Sequence, residues 1–408
     1  MTARPRLLFL CQTLPYPPDG GVNIRTFHVM RLLARAFDIT ALCFFRRADR
    51  PTPAHVEASL AGLGRCGRVE AFRIPQEHDR ARLAWDHLRS VARRRTYTIY
   101  SYESRAFRRR LLDLLATEHF DLAHLDSLDL VGYLPPIAAR GLPVVCAHHN
   151  VESELLRRRA AAEGSTWRRL YMAHQARLYE AEERRACAGF ALNVAVSDLD
   201  REAFGRLAPG ARFTVVPNGV DVDGFRPATA GSDGAVFVGG ASWFPNRDAL
   251  EYFSADVLPR LRAGGLDVPV RWVGRASAED QRAYAARGIE LTGYVADIRP
   301  YVAQAGCFVV PLRVGGGTRL KVLDAWAMGK AVVSTSVGCE GLHAVDGGNI
   351  LIRDTAEGFA AAVRAVLEDA ELRRRLGSAA RETAEKEYAW DVIGVPMVES
   401  YLSIARSP

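Results

Sequence analysis

Four consecutive pieces of sequence decide the fold: Phe308–Leu312 (FVVPL), Arg313–Thr318 (RVGGGT), Arg319–Lys330 (RLKVLDAWAMGK) and Ala331–Ser334 (AVVS). The first is a short apolar run of the kind found in buried strands. The second sets three glycines in a row before a helical pattern, with Thr318 as the expected N-cap. In the third, Val322, Leu323 and Trp326 fall on a core-facing side, and Gly329 closes the helix. The fourth returns at once to a buried strand. A strand, a helix and a second short strand in this order imply a parallel sheet.

The same alternation runs through the chain. Leu7–Cys11, Ile39–Phe45, Val69–Ile74, Leu122–Leu125, Val144–Ala147 and Leu192–Val196 form one set of expected strands. Phe213–Val216, Val236–Val238, Val270–Val273, Ile289–Thr292, Phe308–Leu312, Val332–Ser334 and Ile350–Ile352 form a second. Pro209-Gly210 punctuates the stretch between them. The expected division is residues 1–205, residues 206–385, and a helical segment over 386–408. Both domains read as α/β and doubly wound. Ligands of open parallel sheets sit beyond the strands' carboxyl ends, so two such domains predict a ligand cleft between them.

Composition agrees with a chain of this kind. It has 408 residues, 49% hydrophobic and 25% charged, with a net charge of +7. These values fit a soluble globular protein and argue against disorder. Residues 1–200 hold 30 Lys+Arg against 22 Asp+Glu, whereas residues 201–408 hold 24 against 25. The basic excess therefore lies in the first half, almost entirely as arginine. No apolar run reaches the ~20 residues of a membrane-spanning helix, and Leu7–Cys11 is too short for a signal peptide core. The seven cysteines have no close spacing and read as buried free thiols of a reducing compartment. The expected location is cytoplasmic.

Chemistry is expected in the loops after strands. Gln12–Gly21 ends in two glycines, Gly20 and Gly21, just before a helix, where free N–H groups and the helix dipole favour an anion. A plain surface turn is the alternative. Gly315, Gly316 and Gly317 make a similar loop, and Lys321 and Asp324 share one face of the helix that follows. That set suits a ribose-diphosphate: phosphates on N–H groups and Lys321, a sugar diol on Asp324. A solvated charged helix start is the alternative, but it leaves the glycines unexplained. His148-His149-Asn150 follows Val144–Ala147, with a ligand role and a structural role both open. Asp221-Val222-Asp223 has no third ligand at metal-binding spacing.

With these residues in place, the sequence resembles the retaining GT-B glycosyltransferases of family 4, also called group 1. Val216–Asp221 (VPNGVD), Phe237–Gly240 (FVGG), Trp243–Ala249 (WFPNRDA), Leu291–Val295 with Asp297–Tyr301, and His149–Glu152 (HNVE) carry the resemblance beside the Phe308–Leu342 stretch. It implies two Rossmann-like domains facing each other across a cleft. The first would bind the acceptor and the second the nucleotide-sugar donor, and the C-terminal helix would cross back to the first. It also implies transfer with retention, no cofactor and no required metal.

Residue by residue, the resemblance implies that Lys321 and Arg319 meet the diphosphate and that Asp324 binds the ribose. It implies that Gly20 and Gly21 close over the phosphates. Tyr294 and Val295 lie in the loop that meets the base, and His149 stands near donor sugar and acceptor, with Asn150 and Glu152 on the acceptor side. Three positions depart from the usual pattern, the first being Asp324, a shorter carboxylate where the family has its second glutamate. Gly316 stands where the family has a first glutamate, and Gly240 replaces an arginine, leaving Arg247 as the candidate second cation. A non-catalytic nucleotide-sugar-binding homologue and an NDP-sugar epimerase are the alternatives. The expected partners are a nucleotide-sugar and a glycan or lipid-linked acceptor, with no nucleic acid. Arginine clusters at 93–95, 157–159 and 168–169 add an anionic membrane surface as an expected partner, against the plain alternative of solvated helix faces.

Overall fold

The computed structural model describes residues 4–77, 79–227, 231, 233–315 and 319–406. They form two compact units: Met1–Pro217 with Gly394–Pro408, and Asn218–Ile393.

The first unit holds seven strands: β1 (Arg6–Cys11), β2 (Asp38–Phe45), β3 (Arg68–Arg73), β4 (Leu122–Leu125), β5 (Val144–Ala147), β6 (Leu192–Ala195) and β7 (Phe213–Val215). They lie in the order β3-β2-β1-β4-β5-β6-β7, every pair parallel. The second holds β8 (Ala235–Val238), β9 (Val270–Val273), β10 (Ile289–Leu291), β11 (Cys307–Val310), β12 (Val332–Ser334) and β13 (Leu351–Ile352). Their order is β10-β9-β8-β11-β12-β13, again all parallel. Both sheets reverse strand order once, beside β1 and β4 and beside β8 and β11. These two switch points are where a doubly wound sheet opens a crevice for ligand.

The sequence pattern explains the layers. β4, β5, β11 and β12 are buried at every residue and apolar at all but His124 and Ser334, as central parallel strands must be. β3 is an edge strand, and its RVEAFR sequence is only half-buried. Helix starts carry their own stops: Ser104, Ser197, Ser277, Thr355 and Asp369 each accept a hydrogen bond from a backbone N–H of the first turn. In the second unit Phe237 stacks on Trp272 at 3.7 Å between ring centroids, and Trp326 is fully buried beneath the helix it belongs to.

Three expectations are revised. Phe213–Val215 does not open the second set of strands. It pairs with β6 in the register Asn193↔Phe213 and closes the first sheet. Pro209-Gly210 is the turn inside that strand–helix–strand unit, so the units divide between Pro217 and Asn218 and not near residue 205. The chain re-enters the first unit at Gly394, within the Trp390–Ala405 helix, and not at residue 386. There a Cβ on Gly394 would lie 2.6 Å from the Leu32 side chain, so the returning helix packs closely on the Gly21–Leu33 helix. The cysteines are buried and none is bonded to another.

β8 and β9 end in a close backbone contact. Gly239 (φ 155°) and Gly274 (φ 149°) abut, and a Cβ on Gly274 would lie 2.7 Å from the Gly239 carbonyl carbon. Gly274→Ala therefore adds a steric clash to backbone strain and should cost about 3 kcal/mol. A drop in thermal midpoint checks this, and an unchanged midpoint contradicts it.

Candidate active site

In the second unit the helix Leu320–Ala327 starts directly after the loop that leaves β11. Arg319 occupies the N-cap position with φ −86° and ψ 80°, and its side chain makes no cap. The expected cap Thr318, with Gly316 and Gly317, lies outside the described residues. Lys321 turns toward the end of β8. Its Nζ donates to Asn246 Oδ1 at 2.9 Å and sits 3.9 Å from the Phe237 ring centroid. Asn246 in turn donates from Nδ2 to the Gly240 carbonyl at 3.0 Å. One amide thus ties the loop after β8 to the cation of a distant helix. Burial, and then nearby Arg319, pull the Lys321 ammonium well below the usual lysine value.

Asp324 lies one turn beyond Lys321 and is partly buried. Burial pushes its carboxyl up to about 7. Among the described residues, no group donates a hydrogen bond to it. A carboxylate that no described residue compensates, beside a depressed lysine, is costly and is the arrangement a ligand can relieve.

Other expected donor contacts take defined places. The Tyr294 ring is 66% exposed, with the Arg275 guanidinium 5.2 Å from its centroid, and Val295 packs against the core beside it. Arg247 forms a two-pronged pair with Asp280, at 3.0 and 2.8 Å. That pair is exposed, so its hold on the cation is weak. Arg319 is buried, and its guanidinium donates to the Val337 carbonyl at 3.2 and 3.0 Å. It also stands 3.9 Å from Glu340 and packs against Gly315. The structure therefore engages Arg319 in anchoring its own loop.

A second cluster sits at the first unit's switch point. Gly20 (φ 96°) precedes the Gly21–Leu33 helix, and nothing lies within 4 Å of where its Cβ would be. The backbone at Gly20 and Gly21 is thus open to a ligand. Beyond β4, Asp126 is buried and accepts from Thr26 Oγ1 at 2.7 Å. The His149 Nε2 donates to the Asp126 carbonyl at 2.7 Å and is 3.5 Å from its carboxylate. Burial alone would raise the Asp126 carboxyl, but His149 and then His124 hold it well below the usual range. With Nε2 as donor, the other imidazole nitrogen of a neutral His149 is an acceptor. His148 is buried against Asn193 at 3.0 Å and Phe204, and burial lowers it to about 4. Its role is structural. Asn150 donates to Glu152 Oε1 at 3.0 Å, and burial, followed by the charge of Asp129, raises Glu152 to about 7.

Residues 19–223 match the family described as Glycosyltransferase Family 4, and residues 233–369 match Glycosyl transferases group 1. This chain belongs to glycosyltransferase family 4. A phosphatidyl-myo-inositol mannosyltransferase of Mycolicibacterium smegmatis is 30% identical over 225 residues, which is 52% of this chain and 57% of that protein. The match thus spans little more than half of that relative. The lipopolysaccharide core biosynthesis glycosyltransferase LpsE of Rhizobium meliloti is 32% identical over 29% of this chain and 34% of its own. Among solved structures, sucrose-phosphate synthase of Thermosynechococcus elongatus superposes with a TM-score of 0.70 at 18% identity, covering 98% of this chain and 99% of that one. HepE of Anabaena in complex with UDP gives 0.67 at 16%, covering 98% and 100%. These likenesses show the GT-B fold.

Within this family 4 chain, sequence reading missed two residues. Asp126 was legible in principle, because it directly follows β4 at a switch point. Asn246 was quoted within WFPNRDA, but its contact with Lys321 spans 75 positions and no local pattern shows it. Asp221 accepts from the backbone N–H groups of Asp223 and Gly224, at 3.2 and 2.9 Å, and so shapes a turn.

Asp324 supplies a stability test. Its folded value, about 7, lies above the unfolded value near 4. The folded state therefore holds the extra proton between these values, and the carboxylate destabilises it most above pH 7. Asp324→Asn should raise the thermal midpoint at pH 8, and the gain should shrink as pH falls through 7 toward 4. A gain independent of pH would contradict this account.

Proposed function

We propose that this chain transfers a sugar from a nucleotide-sugar donor to a hydroxyl of a glycan, lipid-linked or small-molecule acceptor, with retention at the anomeric carbon. The setting would be assembly of cell-surface or exopolysaccharide glycans. The observation that carries the reading is Asp324: a partly buried carboxylate to which no described residue donates, one helical turn from a cation that burial has weakened. A nucleoside diphosphate answers both. Its ribose diol donates to the carboxylate, and its phosphates restore the charge on Lys321. The exposed Tyr294 ring, with Arg275 beside it, offers a stacking surface for the base. Solved neighbours described as complexes with UDP and UDP-glucose lend support.

The chemistry then follows from charge. The bond between the anomeric carbon and the phosphate oxygen breaks, and negative charge grows on the leaving diphosphate. Lys321, held in place by Asn246, meets that charge without reorganising. The acceptor oxygen bonds the anomeric carbon on the same face, and its proton passes to the departing phosphate oxygen. His149, oriented by the Asp126 carbonyl, offers its other ring nitrogen to an acceptor hydroxyl. The reading calls for no metal or other cofactor.

Thermal shift with UDP-, GDP-, dTDP- and ADP-sugars identifies the donor, since a ligand at 100 times its Kd adds about 2.7 kcal/mol. With that donor, Lys321→Ala should cost about 3 kcal/mol of transition-state stabilisation. His149→Ala should cripple transfer and spare donor affinity. Donor binding without transfer to any acceptor would favour the non-catalytic homologue. Donor affinity should also fall about tenfold from pH 8 to pH 6 as Asp324 takes up a proton. Asp324→Asn should bind weakly and lose that dependence.

A further inference from the structure

The Arg80–Arg93 helix is inside out. Its buried residues are the polar Asp86 and Ser90, while Trp85, Leu88 and Val91 face solvent. The polar side is committed to the protein. Asp86 accepts from Arg82 and from Gln76, each at 3.0 Å, and Ser90 accepts from Gln175 at 2.9 Å. Trp85, Leu88 and Val91 are spaced by three and so share a face.

The Thr166–Cys187 helix continues that face. His87 meets Tyr171 at 5.5 Å between ring centroids, Ser90 meets Gln175, and Arg95 meets Glu182 at 2.6 Å. These pairs advance in step, so the two helices run in the same direction, with Trp167 one turn before Tyr171. Trp167 and Leu170 complete five large apolar side chains, each between 52% and 68% exposed. Soluble monomers rarely leave such a surface open without a partner.

The rim of the patch is cationic. Arg80, Arg93, Arg94, Arg168 and Arg169 have no ion-pair partner among the described residues, and Arg168 lies 5.5 Å from the Trp167 ring centroid. The nearby acids Asp86, Glu103 and Glu182 are each already bound by an arginine. We propose that this arginine-rimmed apolar face docks flat on the headgroup layer of an anionic lipid bilayer. Tryptophan and leucine on one face with arginines around them is the pattern of a helix lying in that layer. No described helix is long and apolar enough to cross a membrane. A second copy of the chain fits less well, because a twofold contact would bring the arginine rims together.

This inference goes beyond the transfer reading and does not rest on it, since vesicle binding needs neither donor nor acceptor. The full chain is co-sedimented with phosphatidylcholine vesicles, with and without phosphatidylglycerol. Binding should require phosphatidylglycerol and weaken with salt. Arg93→Gln with Arg94→Gln should lower the partition coefficient about 25-fold, at about fivefold per charge. Trp85→Ser with Leu88→Ser should abolish binding while far-ultraviolet circular dichroism stays unchanged. Bromine-labelled phosphatidylglycerol should quench tryptophan fluorescence in the natural chain. The Trp85→Phe, Trp167→Phe variant should bind but lose that quenching, with exposed Trp243 as the internal control. Failure to bind, equal binding to neutral vesicles, or binding indifferent to both sets of substitutions would overturn the proposal. So would loss of a dimer in the Trp85→Ser, Leu88→Ser variant by sedimentation.

Discussion

A parallel sheet covered by helices on both faces has little interior room for an unpaired charge. β4, β5, β11 and β12 are buried along their whole length, so a group placed there would lose water and gain little in return. Ionisable groups that are to meet a ligand are pushed into the loops at the carboxyl ends. Asp126 follows β4, His149 follows β5, and Lys321 and Asp324 follow β11. Each sits at the margin of a dry core, and burial acts on three of them. It drags Lys321 down and Asp324 up, and in Asp126 it is overcome only by two histidines.

The two clusters handle that cost differently. In the first unit the buried carboxylate is answered from within, by a hydrogen bond from Thr26 and by the nearby rings of His149 and His124. In the second unit Lys321 has one amide and one aromatic face, and no described residue answers Asp324. Burying these two groups therefore costs the fold stability. That is the expected character of a binding site whose polar partners come with the ligand. Asn246 is the piece that makes the strain precise in position: one side chain fixes both the Gly240 carbonyl and the lysine. Gly239, bare of a Cβ, leaves room for its amide.

The reversed helix of the first unit obeys the same logic with opposite sign. Asp86 and Ser90 are inside because Arg82, Gln76 and Gln175 satisfy them there. Trp85 and Leu88 are outside because the inner positions are taken. The chain's net charge of +7 acquires a place through this helix and its neighbour. Many arginines of the first unit bind acids, such as Arg89 with Glu103 and Arg95 with Glu182, while those rimming the apolar face pair with no described acid.

Much of this protein was local and therefore legible in its sequence. Short apolar runs located the strands to within a residue or two, because burial on both faces demands continuous apolar side chains. The glycine loop, the Lys321–Asp324 spacing and HNVE named most candidate residues, because helix periodicity and strand ends are properties of neighbouring positions. Contacts between distant segments were decided only by the tertiary structure. Phe213–Val215 could join either sheet until it paired with β6. Arg319 and Arg247 looked like free cations until Val337 and Asp280 came into reach, and Lys321 gained Asn246 the same way. Parallel strands pair only across long crossovers, and a buried charge finds its partner wherever the packing brings one. Local sequence sets which groups reach the carboxyl ends of the strands. The packing of remote segments sets which of them stay unpaired there, and so available to a ligand.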